Sequence, residues 1–118
     1  QYVVQDAEGQ IEETESISAG LDDSGVSPLH CFLKDTKRAR YTSATDEEAL
    51  EAYKLVSKLE NISPSLEPSH AFAEAIKIAP KQKRSDVIIV NSCGDSLKDK
   101  DIIKKKIGSY RRWNQKLP

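Results

Sequence analysis

The 118-residue sequence has no methionine, two cysteines and one tryptophan, and each scarcity removes a class of protein. No apolar run approaches the roughly 20 residues that cross a bilayer. Residues 1–10 carry neither the basic region nor the apolar core of a signal peptide. A soluble, cytoplasmic protein without membrane contact is therefore expected. Cys31 and Cys93 stand alone, without a CxxC pair or a Cys/His cluster at metal-ligand spacing, so free thiols are expected and no zinc site. With no methionine and Gln1 in first place, the chain is expected to be a piece of a longer one. At 37% hydrophobic and 31% charged residues, the composition suits one compact but polar domain without a large core.

The net charge of -1 conceals an asymmetry. Every charged residue before Lys34 is acidic, whereas residues 98–116 are rich in Lys and Arg. Lys104, Lys105 and Lys106, with Arg111, Arg112 and Trp113, invite a nucleic-acid reading. A solvated helix end, with cations complementing the helix dipole, accords better with the near-zero net charge. No nucleic-acid partner is expected.

Residues 2–5 favour extended structure, and Asp6 to Gly9 supply a turn, so the opening reads as a hairpin closing near Ile11. Residues 16–25 form a loop of small residues whose backbone can approach a ligand or ion. A short helix is expected over 28–34 and a short strand over 40–43. Thr45 with Glu48 three residues on is a capping box. The helix behind it carries a stripe of Leu50, Tyr53, Val56 and Leu59, with Ala49 and Ala52 alongside. A second helix is expected from about Pro68 to Ala79, presenting Ala71, Phe72, Ala75, Ile76 and Ile78. The unbroken β-branched run 87–90 reads as a strand buried in a parallel sheet. Its carboxyl end leads into Ser92, Cys93 and Gly94, the place where open parallel sheets hold ligands. A terminal helix near Asp101 would bury Ile102, Ile103 and Ile107.

Several segments carry a family signature: GQIEETESISAGLD at 9–22, GVSPLH at 25–30, TDEEALEAY at 45–53, LEPSHA at 66–71 and VNSCG at 90–94. Together they resemble the carboxy-terminal part of the tryptophan synthase beta chain, in register over nearly the whole sequence. The resemblance implies an α/β fold, part of a parallel sheet flanked by helices, with residues 1–118 as a single partial domain of a pyridoxal-phosphate enzyme. It implies condensation of L-serine with indole to give L-tryptophan. The partners implied for the complete protein are an alpha chain and a second copy in a homodimer. Neither the lysine that holds the cofactor as a Schiff base nor the glycine-rich phosphate loop has a counterpart here.

The same resemblance implies roles for individual residues. Asp22 matches the acidic residue that contacts the serine side chain, where a loop-capping Asx turn is the plain alternative. Glu67 matches a glutamate beside the cofactor ring, and by position alone it reads as a helix cap. Cys93 matches the serine that meets the pyridine nitrogen, and Gly94 is retained after it. A neutral partner there moderates the electron sink, and a thiol is a weaker donor than a hydroxyl. Backbone carbonyls of Leu21, Asp23 and Gly25 match a monovalent-cation site. His30 and His70 are read as structural. The family's SGRGDKD becomes CGDSLKDKD at 93–101, with the Arg-Gly pair absent and the loop two residues longer, and Pro68 stands where the family has Ser or Thr. These departures support an alternative, a non-catalytic remnant or interaction module of the same fold.

Overall fold

The computed structural model describes the backbone of residues 1–114 and the side chains through residue 108. The side chains of Arg111, Arg112, Trp113 and Lys116 lie outside the described residues. The chain divides into two compact units, Gln1–Ser43 and Ala44–Pro118.

In the first unit, the expected turn forms as Gly9 takes a φ of 82° and Gln5 pairs with Ile11 in an antiparallel bridge. Asp6 secures it by accepting the Gln10 and Glu8 amides at 2.7 and 3.0 Å. A second bridge joins Val3 to Gly25. Helix α1 spans Pro28–Asp35, with proline in the first turn and Ser27 accepting the His30 amide. A proline is tolerated there because the first-turn amides have no helical acceptor. Cys31 buries one side of α1 and its Sγ accepts the Tyr2 amide at 3.3 Å. The Tyr2 hydroxyl donates to Asp35 at 2.6 Å, while Lys34 sits over the Tyr2 ring. The amino-terminal segment is thus held to α1 by polar contacts around a small core of Ile17 and Cys31.

The second unit is built on an α2/α3 pair. Helix α2, Asp46–Glu60, has the predicted capping box complete in both directions and ends where Asn61 adopts left-handed geometry. Helix α3 spans Leu66–Ile78. It begins two residues ahead of the expected Pro68, which falls instead within the first turn, where no amide is needed. The buried faces are narrower than expected. In α2, Ala49, Leu50, Ala52 and Val56 are buried, but Leu59 is exposed. In α3 the inward residues are Leu66, Pro68, Ser69 and Ala73, and Ala71 and Ile76 face outward. Small residues on both faces let the helices approach closely, and the apolar stripe alone did not locate that seam. Helix α4, Lys100–Asn114, buries Ile103 but leaves Ile102 exposed.

The expected sheet is not seen: among the described residues there are isolated bridges but no strand. Residues 40–43 and 86–91 have no regular secondary structure, and Val87 and Ile89 are 84% and 89% exposed. A strand exists only by pairing with another, and a β-branched run without a neighbour cannot bury its faces.

Candidate functional site

The second unit gathers its chemistry where the 93–99 loop meets the start of α3. Residues 63–65 and 94–96 run antiparallel, bridged at Pro64 and Asp95. The Ser65 amide donates to the Gly94 carbonyl at 3.1 Å, and the Ser96 amide to that of Ser63 at 2.9 Å. Gly94 suits this approach, since a Cβ there would lie 3.2 Å from Ser65 Oγ, closer than an ordinary contact. Beyond the loop, Asp99 turns its carboxylate back and accepts the Leu66 amide at 2.9 Å.

That last contact resolves a feature of α3. Its N-cap residue, Ser65, makes no side-chain capping bond, so the first amides need another acceptor. Asp99 supplies it from 33 residues away while its own carbonyl accepts the Ile103 amide and starts α4. One buried residue therefore ties the starts of two helices together. The Leu66 carbonyl is bound too, to His70 Nδ1 at 2.7 Å. A carbonyl only accepts, so Nδ1 carries the proton.

Glu67 sits between these fixed points. It lies at the second position of α3 rather than at the cap, and its Oε1 receives Lys98 Nζ at 2.6 Å. Its side chain is 16% exposed, that of Lys98 55%. The hydrogen bond to Glu67 pushes the Lys98 ammonium above the ordinary lysine range, with the Asp99 and Cys93 charges adding to it and burial opposing. Cys93, one residue before Gly94, is a free and exposed thiol. The structure thus brings Glu67, Cys93 and Gly94 to one loop–helix junction.

The remaining predicted residues belong to the first unit. Asp22 closes a short helical turn, Ala19–Leu21, and accepts the Thr14 hydroxyl at 2.8 Å. The Asx turn that was the alternative reading of Asp22 is made by Asp23, whose carboxylate accepts the Gly25 amide. Residues 24–26 are zipped to residues 2–4 by the Val4 amide to the Ser24 carbonyl and the Val26 amide to the Tyr2 carbonyl. His30 pairs with Tyr41 through Nδ1 and Oη at 2.9 Å, and the rings meet edge to face. Among the described residues no group of three or more His, Cys, Asp or Glu is placed to hold a metal ion.

An apolar groove of about 460 Å³ runs along α2 and α3, with Ala52, Leu55, Ala73, Ile76, Glu48 and Lys77 in its lining. It contains none of the predicted site residues, and the one amine in its walls, Lys77, is bound to Glu48 at 2.7 Å. The junction at Glu67 is the better candidate because its polar groups converge. Sequence reasoning missed Lys98 and Asp99, which entered it only as parts of an altered motif. No local signal gave Asp99 this role, since it stands immediately before α4 while its carboxylate accepts the Leu66 amide of α3.

Over 107 residues, 91% of its length, the chain is 54% identical to the tryptophan synthase beta chain of Cereibacter sphaeroides, matching 26% of that protein. Identity over the same share of the chain is 48% with the tryptophan synthase beta chain of Allorhizobium ampelinum, covering 26% of it. With that of Bordetella petrii it is 47%, covering 27%. The chain thus spans about a quarter of the length of the curated relatives it matches. No protein-family model matches it.

Proposed function

The chain is related over 91% of its length to the tryptophan synthase beta chains, and from that premise we propose that it forms part of a pyridoxal-phosphate enzyme joining indole to L-serine. The products are L-tryptophan and water. The observation that carries the proposal locally is the junction in which the Asp99 and Gly94 contacts flank Glu67 on the α3 start. Its donor set suits the nitrogen end of a pyridine ring. Cys93 presents an exposed thiol rather than a carboxylate, and Gly94 follows it.

When bound, pyridoxal phosphate supplies the electron sink for elimination and replacement at the β-carbon of serine. The residues of this chain hold and orient. Cys93 would meet the ring nitrogen as a weak hydrogen-bond partner. Gly94 would hold the loop against Ser65 behind it, and Glu67 would set the charge beside the ring. Asp22 would orient the serine hydroxyl, and the carbonyls of Leu21, Asp23 and Gly25 would hold a monovalent cation. The anchoring lysine, the phosphate loop and the surface for an alpha chain come from the remainder of the complete protein, of which this is the carboxy-terminal part and which pairs as a homodimer. Within it, residues 87–91 add a strand to a parallel sheet, which accounts for a β-branched run left open here.

The test is tryptophan formation by the complete protein loaded with pyridoxal phosphate and supplied with indole and L-serine. Steady production of L-tryptophan is expected. A folded, cofactor-loaded protein that consumes neither substrate would overturn the proposal. The isolated 118-residue chain is expected to make none.

A further inference from the structure

The 93–101 loop is where this sequence departs from the pattern it otherwise follows, and the departure introduces a lysine. Lys98 stands in the lengthened stretch between Gly94 and Asp99, and its ammonium lies 2.6 Å from Glu67 Oε1. The loop is pinned on both sides of it. Upstream, the Gly94 carbonyl and the Ser96 amide are bonded to residues 65 and 63. Downstream, the Asp99 carboxylate is bonded to the Leu66 amide. Lys98 therefore reaches Glu67 from a backbone with little freedom, and Asp99 Oδ1, at 3.8 Å, is the second carboxylate it faces.

Resting on the function proposed above, we propose that Lys98 is a positioning residue that clamps Glu67 Oε1 and so sets the orientation and charge of the carboxylate beside the cofactor ring. Half-exposed ion pairs contribute little to stability, because solvent screens them and two long side chains lose freedom. The function of this pair lies in geometry, since small misplacements of a group beside reacting atoms cost far more in rate than in folding. The raised affinity of Lys98 for its proton, which comes first from the Glu67 hydrogen bond, agrees with a clamp that stays charged throughout the neutral range.

The experiment uses the complete protein as wild type, Lys98→Ala, Lys98→Arg and Glu67→Gln. In tryptophan synthesis, Lys98→Ala is expected to lower kcat by about tenfold or more while KM for indole stays within about twofold. Lys98→Arg, which keeps the charge, should recover most of the loss, and melting temperatures should barely change. A second readout needs no cofactor. Lysines of the apoprotein are labelled by reductive methylation with carbon-13, and the Lys98 signal is identified by its disappearance in Lys98→Arg. Its titration midpoint should lie above the ordinary lysine range in wild type and fall towards it in Glu67→Gln. Wild-type kinetics in Lys98→Ala, or the same Lys98 midpoint in both proteins, would overturn the clamp. If the wild type makes no tryptophan but the midpoint still shifts, the functional proposal falls and the ion pair stands.

Discussion

Removing the Asp99 carboxylate isolates the contact that organises the candidate site. Asp99→Ala deprives the Leu66 amide of its acceptor at 2.9 Å, and Leu66 is completely buried, so water cannot replace the lost bond without opening the start of α3. A hydrogen bond to a charged acceptor contributes about 1.5–3 kcal/mol. The favourable position of a carboxylate at a helix amino terminus adds a fraction of that. A local loss of about 2–3 kcal/mol follows, equivalent to roughly 30- to 150-fold at about 1.4 kcal/mol per tenfold. Hydrogen exchange reads it directly: the amide of Leu66 should exchange faster by that factor in the variant, and amides in the middle of α2 much less. Asp99→Asn keeps an acceptor oxygen without the charge and should fall between the two. A folded Asp99→Ala protein whose Leu66 amide exchanges at the wild-type rate would refute the reasoning.

Three further outcomes follow from the geometry. Gly94→Ala places a methyl 3.2 Å from the Ser65 hydroxyl oxygen and should destabilise by about 1–3 kcal/mol; adding Ser65→Gly should recover part of this in a urea titration, and no recovery would locate the strain elsewhere. Glu48 is held below the ordinary carboxylate range, chiefly by its hydrogen bond from Lys77 and then by the Thr45 amide. A depressed carboxyl stabilises the fold above its unfolded value and loses that contribution as pH falls through the folded value, so Lys77→Met should flatten the loss of stability below about pH 4.5, measured as urea midpoints at pH 6 and pH 3. Iodoacetamide should modify exposed Cys93 well before buried Cys31, as peptide mass mapping of a time course would reveal; equal rates would contradict the burial of Cys31.

What was legible in the sequence was local. The Thr45–Glu48 box, the proline at the head of α1 and the turn at Gly9 are decided within a few residues, and each formed where its chemistry placed it. The α3 seam differs from the expected one because its inward face is made of Leu66, Pro68, Ser69 and Ala73, and a count of large apolar residues favours Ile76 instead. The sheet could not be judged locally at all, since residues 87–90 have strand composition but pairing requires a partner. Glu67 and Cys93 were singled out by resemblance, and the structure adds that both adjoin the same loop. Asp99 capping a helix 33 residues earlier is a long-range contact with no periodic trace.

The most direct test of the account is the rate of tryptophan synthesis by the complete protein carrying Glu67→Gln. This change is nearly isosteric and removes the charge that Lys98 holds. The account predicts that kcat falls at least about tenfold while the circular dichroism spectrum stays the same. A Glu67→Gln enzyme with wild-type kcat would contradict the claim that this junction borders the reacting centre.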